Sequence, residues 1–82
     1  MALVCYFGPL RDLTGCREEE VEAQSLAQVL KVIQDKYGSK AGQAAREASV
    51  YMNGVNWLFV PRGERRLKVD SVLDLFPPVA GG

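Results

Sequence analysis

Leu26, Val29, Leu30, Ile33 and Tyr37 recur at helical intervals, while Gln28, Lys31, Gln34 and Asp35 take the opposite side. That stripe predicts an amphipathic helix over residues 26–37, laid on another layer. Ser25 and Gln28 have capping-box spacing, in which the serine oxygen takes a free N–H of the first turn. Gly38 suits a left-handed stop. Elsewhere the pattern shortens. "ALVCYF", residues 2–7, is apolar on both faces and predicts a central strand. "LRDLTG", residues 10–15, predicts one helical turn or a loop. Residues 17–24, "REEEVEAQ", are charged around Val21 and predict an edge strand, because edge charge discourages pairing with other chains. Residues 39–48 are alanine-rich and predict a short second helix weakened by Gly42. "SVYMN" and "VNWLFV" flank Asn53-Gly54, a hairpin signal, and Pro61 ends the second strand. "RRLKVD" carries the chain back to a final strand over 71–76. A mixed sheet of about five strands with one main helix across one face follows: an α+β two-layer domain.

Composition narrows the chemistry. The chain has 82 residues, enough for one core. Ten basic and ten acidic residues cancel, so no global field argues for nucleic acid or an anionic membrane. No apolar run approaches the roughly 20 residues of a membrane span. The opening "MALVCYFGPL" has no basic leader, so no signal peptide is expected and a cytoplasmic protein is. Histidine is absent, which removes the commonest general base and metal ligand. A self-contained hydrolase or metalloenzyme is therefore disfavoured, and no metal site is expected. Cys5 and Cys16 match no zinc spacing and read as free thiols, with Cys16, just past a turn, the more exposed.

The end of the chain, "DLFPPVAGG", is where chemistry concentrates. In the last strand Leu73 and Leu75 share one face, and Val72, Asp74 and Phe76 the other. Asp74 is not expected to be buried unpaired, so its face is the outer one and carries Phe76 into the open. Pro77 and Pro78 each lose a backbone donor, which ends pairing and favours a stiff, extended spacer. Val79 and Ala80 add a small apolar grip. Gly81 and Gly82, without β-carbons, can thread a channel too narrow for other residues. The expected division is a folded unit over 1–76 and an extended tail over 77–82 that presents a free carboxylate. A frayed terminus is the plain alternative.

"FPPVAGG", together with the "LRDLTG" turn, the acidic strand, the helix and the Asn53 hairpin, resembles the small-subunit (MoaD) family of molybdopterin synthase, within the MoaD/ThiS ubiquitin-like sulfur carriers. The resemblance covers nearly the whole chain and implies the ubiquitin-like β-grasp fold. It implies a carrier and not a catalyst. A MoeB-like, E1-type activating enzyme would use ATP and magnesium to adenylate the terminal carboxylate. A sulfur donor, a desulfurase or rhodanese, would convert it to a thiocarboxylate. A MoaE-like large subunit, in a heterotetramer, would pass the sulfur to precursor Z to build the molybdopterin dithiolene. No cofactor is bound by the carrier itself. By the same resemblance Gly82 is the modified residue and Gly81 the neighbour that lets it thread. Phe7 and Phe76 match positions that pack on both partners, and Arg11 matches a basic contact to the activating enzyme.

The sequence departs from that family in two places. "KVDSV" replaces a glycine-bearing "DGD" turn, and Asp74 stands where a small or apolar residue is usual, putting a charge at the rim of the partner interface. Arg62, Arg65, Arg66 and Lys68 read as a wet face. Related carriers serving thiamin, tRNA thiolation or cysteine synthesis are the nearest alternatives, with "FPPV" arguing against the thiamin branch. A lysine-conjugated protein modifier and a plain interaction module are the others.

Overall fold

A computed structural model describes residues 1–78. Five strands form one sheet: β1 (Ala2–Tyr6), β2 (Glu18–Val21), β3 (Ser49–Met52), β4 (Val55–Asn56) and β5 (Val72–Phe76). Their spatial order is β2-β1-β5-β3-β4. β1 and β5, at opposite ends of the chain, pair in parallel, and the other neighbours are antiparallel. Helices α1 (Pro9–Thr14), α2 (Leu26–Tyr37) and α3 (Ser39–Arg46) complete the fold. Ala2, Val4 and Tyr6 of β1, Leu73 and Leu75 of β5, and Val29 and Ile33 of α2 are fully buried between sheet and helices. The expected α+β architecture is therefore present.

The helix over 26–37 has the expected limits. Gln28 N–H donates to Ser25 Oγ at 3.2 Å. The Gln28 side chain reaches back to Gln24 N–H at 2.7 Å, one residue before the cap itself. "LRDLTG" forms a six-residue helix, because Pro9 starts it with its φ already set and Gly15, at φ 74°, ends it. Gly42 is more than a weak point in α3. A β-carbon there would come within 2.8 Å of the Gln34 β-carbon, so the glycine is what lets α3 lie against α2.

Four other expectations are refined. β1 is covered on one face only: Leu3 and Cys5 on the other face are half-buried. The hairpin turn is as expected, with Asn53 and Gly54 at φ 51° and 84°. The second hairpin strand, however, stops after two residues. Asn56 Oδ1 accepts from Leu58 N–H at 2.9 Å and turns Trp57–Phe59 into a single 3-10 turn. The "KVDSV" turn closes without glycine, as Ser71 N–H donates to Lys68 O at 3.1 Å and Lys68 N–H to Ser71 Oγ at 2.8 Å. Arg65 does not belong to a wet face: it donates to Val60 O and Trp57 O, with its guanidinium 5.0 Å from the Trp57 ring centre. The described residues contain no helix long and apolar enough to cross a membrane.

Candidate functional site

Parallel pairing carries β1 and β5 to the same end of the sheet, so the residues that follow them emerge side by side. Phe7 N–H donates to Leu75 O at 3.2 Å, holding the two exits together. The Phe7 and Phe76 rings then stack, with centroids 4.3 Å apart and 15° between planes. Tyr51 of β3 meets Phe76 edge-on at 5.6 Å. Such pairs add roughly 0.5–1.5 kcal/mol beyond the area they bury. They also fix Phe76, which stays 39% exposed, as a rigid element of the surface.

Arg11 closes one side of this platform. Its Nε donates to Tyr6 O at 2.8 Å, and its guanidinium lies 5.0 Å from the Phe7 ring centre. The basic residue singled out in "LRDLTG" is thus held against the aromatic stack. The tail leaves directly beside it. Pro77 is buried and Pro78 exposed, so the stiff segment is anchored at its first proline. Both prolines line a shallow depression of about 260 Å³ with Pro9, Lys40, Gln43 and Ala44. Val79, Ala80, Gly81 and Gly82 lie outside the described residues.

Of the partner-binding residues expected from sequence, Phe7, Arg11, Phe76, Pro77 and Pro78 come together at this corner. Tyr51 and Ser49 were not expected there. Alternation along "SVYM" could have found Tyr51, since buried Val50 and Met52 leave Tyr51 on the other face. With Asp74 and Phe76 these two residues line a depression of about 400 Å³.

The cysteines do not read as sulfur-handling groups. Burial first, then the Asp74 carboxylate beside it, push the Cys5 thiol up to about 11, away from the reactive thiolate. Cys16, like Cys5, is half-buried. Its Sγ packs 3.7 Å from the Tyr37 hydroxyl and 3.8 Å from Thr14 Oγ1. No group of three or more metal-ligating side chains occurs among the described residues. What the corner offers is a rigid aromatic surface that the chain leaves through Pro77 and Pro78.

A mixed five-stranded sheet crossed by a helix, with a terminal strand at its centre running into a Gly-Gly tail, defines a ubiquitin-like β-grasp protein of the sulfur-carrier and modifier class. The chain belongs to the ThiS family, whose model it matches over residues 4–82. Small carriers of this type are generally non-catalytic. No curated protein sequence matches the chain. Among solved structures, it is similar to the small archaeal modifier protein 1 (SAMP1) of Methanosarcina acetivorans, with a TM-score of 0.79 and 24% identity over 99% of this chain and 95% of that one. It is similar to a chain in the complex of subunits 1 and 2 of molybdopterin-converting factor from Helicobacter pylori 26695, at 0.66 and 25% over 99% and 97%. The BexX/CysO complex of Amycolatopsis orientalis contains a third similar chain, at 0.76 and 21% over 100% of both.

Proposed function

We propose that this protein is a sulfur carrier that serves as the small subunit of molybdopterin synthase. The observation that carries the reading is the union of "FPPVAGG" with its platform. The Phe7–Phe76 stack and buried Pro77 fix the chain just ahead of Val79, Ala80, Gly81 and Gly82 in the sequence. The ThiS family match and the likeness to a chain of the H. pylori converting-factor complex support a carrier, and the "FPPVAGG" signature is what points to this branch.

The chemistry belongs to the Gly82 carboxylate. On a MoeB-like activating enzyme with magnesium, a carboxylate oxygen displaces pyrophosphate from ATP and forms an acyl-adenylate. The terminal sulfur of a desulfurase or rhodanese persulfide attacks that carbonyl carbon and AMP leaves, and a thiol reductant then cleaves the acyl disulfide to release the thiocarboxylate. The resulting thiocarboxylate enters a MoaE-like large subunit and gives its sulfur to precursor Z. A glycine carbonyl is the least hindered that a protein can present, and Gly81 keeps the approach narrow. Catalytic groups reside on the partners. This chain supplies the acyl carbon, its delivery and the docking face of Phe7, Arg11, Phe76, Pro77 and Pro78.

Intact-mass measurement after incubation with a MoeB-type enzyme, ATP and a sulfur source tests this. The expected result is exchange of one oxygen for sulfur, mapped to Gly82, followed by sulfur transfer to precursor Z when the large subunit is added. A competent activating enzyme that leaves the mass unchanged would overturn it. The likeness to SAMP1 favours a second reading, in which the same activated Gly82 is joined to lysines of other proteins. Isopeptide conjugates bearing Gly82, with no thiocarboxylate, would select that one.

A further inference from the structure

The open face of the sheet carries a charge pattern that the aromatic corner alone does not explain. Strand register aligns Glu18, Cys5, Asp74, Tyr51 and Asn56 in one row across all five strands. Glu20 lies in the next row, opposite Leu3. Asp74 is the middle residue of that row and of β5, the middle strand. It is half-buried, with Phe76 two residues on and Tyr51 directly across. No lysine or arginine nitrogen lies within 4.0 Å of its carboxylate. The salt bridges among the described residues join Lys31 to Asp35 and Lys36 to Glu19. A carboxylate so placed loses water when a partner covers the face, and that loss is costly unless the partner returns a donor.

We propose that the activating enzyme which docks on this face presents an arginine to Asp74. The depression of about 400 Å³ between Ser49, Tyr51, Asp74 and Phe76 has one charged wall and two aromatic ones. A guanidinium satisfies both, forking onto the carboxylate while its plane lies on a ring. An ammonium could pair with the charge or sit over a ring, but it has no planar fork to do both at once. Glu18 and Glu20 extend the same negative potential toward the β2 edge, so complementarity steers the approach as well as the final contact. The inference rests on the carrier function proposed above. The activating enzyme is the occupant named because sulfur transfer and lysine conjugation both require adenylation of Gly82 before anything else.

The test is ATP–pyrophosphate exchange by the activating enzyme of the same organism, with this protein as the varied substrate. Asp74→Asn keeps the shape and removes the charge, Asp74→Arg reverses it, and Asp35→Arg on the far side of α2 controls for net charge. The expected result is a KM raised about tenfold or more by Asp74→Arg and by less for Asp74→Asn, with kcat changing little. Asp35→Arg should match the unmodified protein. Added salt should shrink the gap between wild type and Asp74→Asn. Unchanged KM for both Asp74 variants, folded by thermal melt, would overturn the arginine contact while leaving the carrier function standing. Absence of exchange with the wild-type chain would remove both.

Discussion

Glu19 and Asp74 are carboxylates on opposite faces of one sheet, and their surroundings could hardly differ more. Glu19 shares the helix-covered side with buried Val21. Its side chain is 15% exposed, and it accepts from the hydroxyls of Tyr6 and Tyr37 and from Lys36 Nζ, each at 2.6 Å. Asp74, on the open side, has no cation in reach among the described residues. The first carboxylate ties β2, β1 and the end of α2 together. The second has the Cys5 thiol of the neighbouring strand beside it and no cation, which leaves its charge for a partner. A charge completed from within marks structure, and a charge left incomplete on a rigid apolar face marks recognition.

Removing the completed charge should have the largest effect. Glu19→Ala strands two buried or half-buried tyrosine hydroxyls and frees Lys36. Breaking such a network costs about 3 kcal/mol, and in a domain this small that lowers Tm by more than about 10 °C. Calorimetry or a CD melt reads it directly. A Tm within a few degrees of wild type would mean that water replaces the carboxylate freely, and the contrast between the two acids would lose its structural half.

The same cluster sets a pH window. Burial alone would push the Glu19 carboxyl up. The hydrogen bonds from Lys36, Tyr37 and Tyr6, with the Lys36 charge, more than offset this and hold it below 4.5. A depressed carboxyl gives stability that is complete above its unfolded value and lost as pH falls through the folded one. Tyr6 and Tyr37 move the other way. Burial first, then the neighbouring Glu19, hold both hydroxyls well above 10, so their contribution is lost as pH rises beyond that value. Stability measured by denaturant midpoint should therefore be flat between about 5 and 9 and fall on both sides. In Glu19→Gln the acid-side fall should shrink. An unaltered acid limb in that variant would show that the loss arises elsewhere.

Most of this fold could be read from the chain, because its helix and strands announce themselves by period. The roles of individual polar residues could not. "REEEV" reads as a solvated edge, although two-residue alternation from buried Val21 puts Glu19 inside; the signal was present and the charge run hid it. The short β4 depends on Asn56 capping the next turn, a local hydrogen bond that competes with strand continuation. Arg65 looked like one of four wet cations, and only tertiary packing brings the carbonyls of Trp57 and Val60 to it. At the corner, the resemblance named Phe7, Phe76 and Arg11, which the structure brings together. Their stacking required the parallel pairing of β1 with β5, which no local pattern encodes.

Gly42 tests whether the covered side is as tightly determined as Glu19 suggests. On propensity alone, alanine in α3 should gain about 1 kcal/mol. The new β-carbon would instead press on Gln34, at 2.7 Å from Oε1 and 2.8 Å from Cβ. Backing away disturbs the Gln34 contact to Arg46 as well. Gly42→Ala should therefore destabilise by about 1–2 kcal/mol, the cost of overpacking, as seen in a urea midpoint. A stabilised variant would mean that α3 can slide on α2.

The smallest expected change lies on the open side, where Asp74→Val supplies the sharpest comparison. Asp74 is half-buried in the central strand, and valine suits a pleated sheet better than aspartate does. If the carboxylate makes no internal contact that the fold needs, the variant should melt within about 0.5 kcal/mol of wild type or slightly above it. Cys5 gives a second readout at the same place. Its thiol is held up partly by Asp74, so removing the charge should lower its pKa from about 11 and speed alkylation at alkaline pH. A loss of 2 kcal/mol or more would show Asp74 holding strands together as Glu19 does. The two carboxylates would then be two supports of one fold, and the open face would need another reason for its charge.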